Sequence, residues 1–129
     1  MYIHHAAMYT DNLERLRDFY CKYFHGVSTN GYRNPKTGFA SYFVRFSEGA
    51  SLEIMKAPDV TESKKEEPRQ FLGYSHLAFS VGSEEEVDRL TERLKQDGFS
   101  HISGPRHTGD GYYESCVLDP DGNRVEITV

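Results

Sequence analysis

Apolar positions alternate in short runs and then widen to helical spacing, and this change of period occurs twice along the chain. Tyr2–Tyr9 alternates as a strand, with Ile3, His5, Ala7 and Tyr9 on one face and His4, Ala6 and Met8 on the other. Leu13, Leu16, Phe19/Tyr20 and Tyr23 then form a helical stripe, opened by Asp11 with Glu14 at capping-box spacing and closed near Gly26. A polar stretch over Thr29–Gly38 precedes two further strands, Phe39–Phe46 and Ser51–Met55. In the second of these, Leu52 and Ile54 face one way, and Ser51, Glu53 and Met55 the other.

The order then repeats. Ala57–Leu72 holds Pro58, Pro68 and mixed charges without sustained periodicity, and reads as a linker. Tyr74–Val81 is the next strand, with His76 on the face of Tyr74, Ala78 and Ser80. Ser83 and Glu86 open a helix with Val87, Leu90 and Leu94 on one side and Gly98 at its end. Ile102 begins a short strand, Gly104–Gly111 reads as a loop, and Tyr112–Leu118 is a strand. Asp119-Pro-Asp-Gly122 is strong turn chemistry, and beyond it Val125, Ile127 and Val129 oppose Arg124, Glu126 and Thr128.

Spacing supports an internal duplication. His5 to Gly26 spans 21 positions and His76 to Gly98 spans 22, while Gly26 to Glu53 spans 27 and Gly98 to Glu126 spans 28. Half of a 129-residue chain is too small to bury its own core, so the halves, or copies from two chains, are expected to pack together in one domain. Its parts are module 1–57, linker 58–72 and module 73–129. Under the duplication each half contributes a histidine from its first strand and a glutamate from its last, on the face away from the helix.

His5, Glu53, His76 and Glu126 thereby form an N₂O₂ set suited to a divalent metal ion: Ni, Zn, Co, Mn or Fe. Taken singly, each histidine would be an ordinary strand residue held by hydrogen bonds; the symmetric placement of all four argues for ligands. A register slip of one residue would exchange His4 for His5. His25, His101 and His107 have surface or capping surroundings, and Glu84-Glu85-Glu86 suits a helix N-terminus without any ligand.

Composition narrows the partners. A formal charge of −5, distributed along the chain, gives no footprint for nucleic acid or an anionic membrane, so a small molecule is the expected partner. No apolar run approaches the roughly 20 residues needed to cross a bilayer, and Met1–Thr10 lacks the pattern of a signal peptide. Cys21 and Cys116 make no disulfide framework and read as reduced and buried, which points to the cytoplasm. Open sheet edges predict a homodimer.

Ile3-His-His5, Asp11-Asn-Leu13, Phe19-Tyr20 with Gly26, Leu52-Glu-Ile54, Tyr74-Ser-His-Leu-Ala-Phe79 and Leu118-Asp-Pro-Asp-Gly-Asn-Arg-Val-Glu-Ile127 together resemble the vicinal oxygen chelate superfamily. That superfamily includes glyoxalase I, extradiol dioxygenases, fosfomycin-resistance thiol transferases and bleomycin-binding proteins. The resemblance implies an α+β fold of two tandem βαβββ modules, each an incomplete β-barrel around a metal. It implies the four ligands of the glyoxalase I pattern at His5, Glu53, His76 and Glu126; superfamily branches with three ligands fit less well.

The implied activity is that of a lactoylglutathione lyase-like enzyme. Such an enzyme moves a proton between adjacent carbons of the hemithioacetal of a 2-oxoaldehyde, through a metal-bound enediolate. Glu126 is the expected proton shuttle, Glu53 the second ligand or partner base, and Tyr9, Met55 and Tyr112 the expected pocket lining. Glutathione-using members commonly carry an arginine and an asparagine where this chain has Tyr9 and Ala57, so a different thiol, or a different α-hydroxycarbonyl substrate, is compatible with the same metal chemistry. The alternatives are another metal enzyme of the superfamily, a thiol transferase or an extradiol dioxygenase, and a bleomycin-type binding protein.

Overall fold

The computed structural model describes residues 1–61 and 72–129; most of the linker read over 58–72 lies outside the described residues. Two compact units, Met1–Ser63 and Lys64–Val129, each pack a helix against one face of an open mixed sheet. The architecture is α+β.

Unit 1 runs β1 (His5–Tyr9), α1 (Leu13–Phe24), β2 (Val27–Ser28), β3 (Tyr32–Arg33), β4 (Ala40–Arg45) and β5 (Ser51–Lys56). Its strands are ordered β1-β5-β4-β2, β3 pairing separately with β4; β1 and β5 are parallel and the other pairs antiparallel. The predicted helical stripe is buried as Leu13, Leu16, Phe19, Tyr20, Tyr23 and Phe24, over Ala40, Val44, Leu52 and Ile54 of the sheet. Asn12, one residue after the predicted cap, accepts the Arg15 amide at 3.0 Å, and Asp11 instead pairs with the Arg15 side chain at 3.0 Å. At the other end His25, not the following glycine, takes the left-handed conformation, at φ 55°. Gly26 is needed for a different reason: a Cβ there would collide with Val44 Cγ1.

The short strand β2 lies just before the stretch read from sequence as polar, Thr29–Gly38, and β3 lies within it, where Gly31 and Pro35 hide any alternation. Both borrow their pairing from β4.

Unit 2 runs β6 (His76–Ser80), α2 (Glu84–Gln96), β7 (His101–His107), β8 (Tyr113–Leu118) and β9 (Arg124–Thr128), ordered β6-β9-β8-β7. Ser83 caps α2 as predicted, accepting the Glu86 amide at 3.3 Å. Val87, Leu90 and Leu94 bury against Val117, Val125 and Ile127, and the hydroxyls of Thr91 and Ser115 meet inside that interface. The predicted loop over Gly104–Gly111 is in part strand: β7 continues to His107 through two register shifts, so neither alternation nor the usual absence of Gly and Pro marks it.

The turn between β8 and β9 is organised by Asp119. Its carboxylate accepts from the amides of Asp121 (2.9 Å) and Asn123 (2.8 Å) and from Asn123 Nδ2 (2.8 Å). The side chain is buried, so removing it strands three donors. Asp119→Ala is expected to destabilise the protein by about 2–3 kcal/mol in urea denaturation, with Asp119→Asn losing less. A loss below about 0.5 kcal/mol, the range of an ordinary surface change, would deny the turn this role.

Candidate functional site

Strand register decides which side chains share the sheet face opposite each helix. In unit 1 the parallel β1–β5 register sets His5 beside Ser51, Ala7 beside Glu53 and Tyr9 beside Met55, and the antiparallel β4–β5 register sets Phe43 across from Glu53. Leu52 and Ile54 point under the helix, which leaves Glu53 on the open face. In unit 2 the parallel β6–β9 register sets His76 beside Arg124 and Ala78 beside Glu126, with Cys116 across from Glu126. The two arrangements match position for position.

Each unit brings one imidazole to one carboxylate. His5 Nε2 lies 3.6 Å from Glu53 Oε2, and His76 Nε2 lies 3.0 Å from Glu126 Oε2. Both histidine side chains keep 38% of their surface exposed, so the pairs stand on open ground and not inside the core. The remaining ring nitrogens are also matched: His5 Nδ1 meets His4 Nδ1 at 2.8 Å, and His76 Nδ1 meets Ser75 Oγ at 3.3 Å. A hydrogen bond at Nδ1 fixes the tautomer and directs Nε2 outward, as in histidines that bind metals. Sequence parity identified His5 over His4 for the Glu53 face; the positioning contacts of His4 and Ser75 went unread, because adjacent side chains meet only where the strand begins.

Burial raises the proton affinity of Glu126, and Glu114 adds to the effect; His76 in particular, with Arg124 and Arg106, opposes it. A carboxyl group poised above its ordinary range is better suited to hold a proton near neutral pH. Within either unit, among the described residues, no third His, Cys, Asp or Glu completes the pair as a metal site. Each pair supplies one nitrogen and one oxygen donor, a chemistry that fits a borderline divalent ion, and both pairs are needed for the predicted set of four.

Tyr9 and Met55 share the open face with the His5–Glu53 pair, and the His5 ring packs edge-on against Phe43 at 5.4 Å. Tyr112 sits, 54% exposed, in the turn before β8, where its backbone is tied to Thr108. A cavity of about 510 Å³ lies elsewhere, among Asp11, Asn12, Leu13, Arg33, Lys56 and Pro58 at the start of α1. No residue of either His–Glu pair lines it, and Lys56 there is engaged with the Asp11 carbonyl. Cys116 is buried, whereas Cys21, predicted to be buried, is only half-covered, and neither forms a disulfide. His101 bonds the Gly104 carbonyl at 2.8 Å and His107 lies 3.8 Å from Glu84, local contacts that leave them outside the site.

Comparison with known proteins gives the family. The family model described as Glyoxalase/Bleomycin resistance protein/Dioxygenase superfamily matches residues 2–127. The chain belongs to this superfamily. Among relatives of this vicinal oxygen chelate protein, YqjT of Bacillus subtilis is 30% identical over 97% of this chain and 96% of its own. Glutathione transferase FosA of Serratia marcescens is 35% identical over 66% of this chain and 60% of its own. The structure of a possible glyoxalase from Bacillus cereus superposes with a TM-score of 0.70 at 29% identity, covering 100% of this chain and 99% of the other. Both units have the strand–helix–strand order, and no helix among the described residues is long and apolar enough to cross a membrane.

Proposed function

We propose that this protein is a metal-dependent lyase of the glyoxalase I type, acting on the hemithioacetal of a 2-oxoaldehyde and a thiol. The observation that carries the reading is the twice-repeated Nε2–carboxylate pair, at matched register positions on the face away from each helix. His5, Glu53, His76 and Glu126 would hold one divalent ion, which when bound supplies Lewis-acid stabilisation of negative charge on vicinal oxygens.

The chain's own residues do the rest. Glu126 takes the proton from one carbon and returns it to its neighbour, a role that a proton affinity raised by burial suits. The His76 ring lies 3.0 Å from that carboxylate, close enough for both to reach one ion. Tyr9, Met55 and Phe43 offer an apolar wall against the methyl and thiol carbons. A homodimer belongs to the same reading, because β1 and β6 each leave a sheet edge unpaired within their own unit.

The FosA likeness favours one alternative, thiol addition to a small electrophile at the same pairs. A single experiment separates the two: metal analysis of the purified protein, then assays of thioester formation from methylglyoxal with several thiols, before and after chelation. Metal-dependent thioester formation is expected. Bound metal with no thioester formed from any thiol would exclude the lyase and leave the transferase.

A further inference from the structure

We propose that His4 is a positioning residue for His5: its Nδ1 accepts the hydrogen that the His5 ring must carry when His5 Nε2 binds a metal ion. This rests on the reading of the His–Glu pairs as a metal centre. Alternation puts the two side chains on opposite faces of the strand, and a slip of one residue would make His4 the ligand. The structure gives the two rings different work. His5 Nε2 lies 3.6 Å from Glu53 Oε2, whereas His4 turns its Nδ1 to His5 Nδ1 at 2.8 Å and is anchored through its carbonyl, which accepts the Ser51 amide at 3.1 Å.

The last torsion of a histidine is broad and roughly two-fold, so parity sets the face on which His5 stands but not the edge its ring presents. A neutral imidazole has one N–H and one lone pair, and a ring that offers Nε2 to a metal ion carries its hydrogen on Nδ1. Two Nδ1 atoms at 2.8 Å share one hydrogen, so with His5 as donor His4 is the acceptor and keeps its own hydrogen on Nε2. In that state His4 has no lone pair left to be a ligand itself. Edge-on ring contacts hold the arrangement, His4 on His5 at 5.1 Å and His5 on Phe43 at 5.4 Å between centroids. Unit 2 uses a hydroxyl in the matching place: Ser75, one residue before the histidine, has its Oγ 3.3 Å from His76 Nδ1.

Affinity of the full-length protein for zinc and for nickel, measured by competition with a chromophoric chelator, is the test. His4→Phe keeps a flat ring without an acceptor, whereas His4→Asn sets an amide oxygen close to the place of Nδ1. His4→Phe is expected to weaken metal binding by about tenfold or more, and His4→Asn to stay within about threefold of wild type. His4 is exposed just before β1, so neither variant should move the urea midpoint. In long-range proton–nitrogen spectra of the zinc-loaded protein, the His5 Nδ1–H is expected in wild type and His4→Asn, and lost to exchange with water in His4→Phe. Wild-type affinity in His4→Phe would overturn the assignment. An equal loss in both variants would overturn it as well, because His4 would then be a ligand. If the wild-type protein binds neither ion, the metal reading of the pairs fails first and the role of His4 falls with it; binding by wild type with no response to His4→Phe sinks the role of His4 alone.

Discussion

Glu126→Gln is expected to lower turnover of a hemithioacetal by about 10²–10⁴-fold, the range lost with a positioned general base, while the protein stays folded. Glutamine keeps the length and polarity of glutamate, so the half-buried position on β9 gains neither a cavity nor an unsatisfied charge. Its amide can still meet His76, which lies 3.0 Å from the carboxylate in the wild-type protein. What the amide lacks is a site that accepts and returns a proton at neutral pH. Glu53→Gln serves as the internal comparison, since Glu53 occupies the same register position in unit 1. Metal content measured on both variants separates loss of a ligand from loss of a base. Wild-type turnover in Glu126→Gln at full metal occupancy would remove Glu126 from proton transfer.

Gly104→Ala is expected to destabilise the protein by about 3–5 kcal/mol, read from the midpoint and slope of urea denaturation. Two independent costs combine. The residue has φ 78°, in the left-handed region that a side chain resists, and a Cβ would collide with the Glu114 carbonyl oxygen and stand 2.8 Å from Ser115 Cα. Both neighbours are backbone of β8, so no rotamer change can relieve the contact; β7 or β8 must shift. Because β8 carries Cys116 across from Glu126, activity should fall along with stability. A destabilisation under about 1 kcal/mol would show that β7 tolerates a wider spacing at this point. Gly98→Ala is the informative contrast: at φ 90° it bears the conformational cost but meets nothing within 4 Å, so it should lose less.

Much of the site was legible from the chain alone because strand parity is a local property. Leu52 and Ile54 must be buried, so Glu53 must face the other way; Val125 and Ile127 do the same for Glu126. The same logic put His5 and His76 on the open faces. Locality also explains the failures. β2 and β3 have no pattern of their own, being two-residue strands defined by what β4 offers them. β7 conceals itself behind Gly104 and Pro105 at a register shift, where strict alternation breaks. The cap of α1 is Asn12 and not Asp11, which pairs with the Arg15 side chain; two adjacent residues both able to cap are not told apart by spacing.

By itself, then, the amino-acid order determined the two helices, the inward and outward faces of the longer strands, the duplicated plan and the acid–imidazole identity of the candidate centre, because each follows from periods of two or 3.6 residues within one segment. Only the tertiary structure decided that Nε2 of each histidine meets its glutamate, that His4 and Ser75 take the other nitrogen, and that Phe43 and Ser51 beside one pair are answered by Cys116 and Arg124 beside the other. Those contacts join residues distant in the chain or side chains at a strand's irregular start. Cross-strand register, which no single segment contains, chooses them.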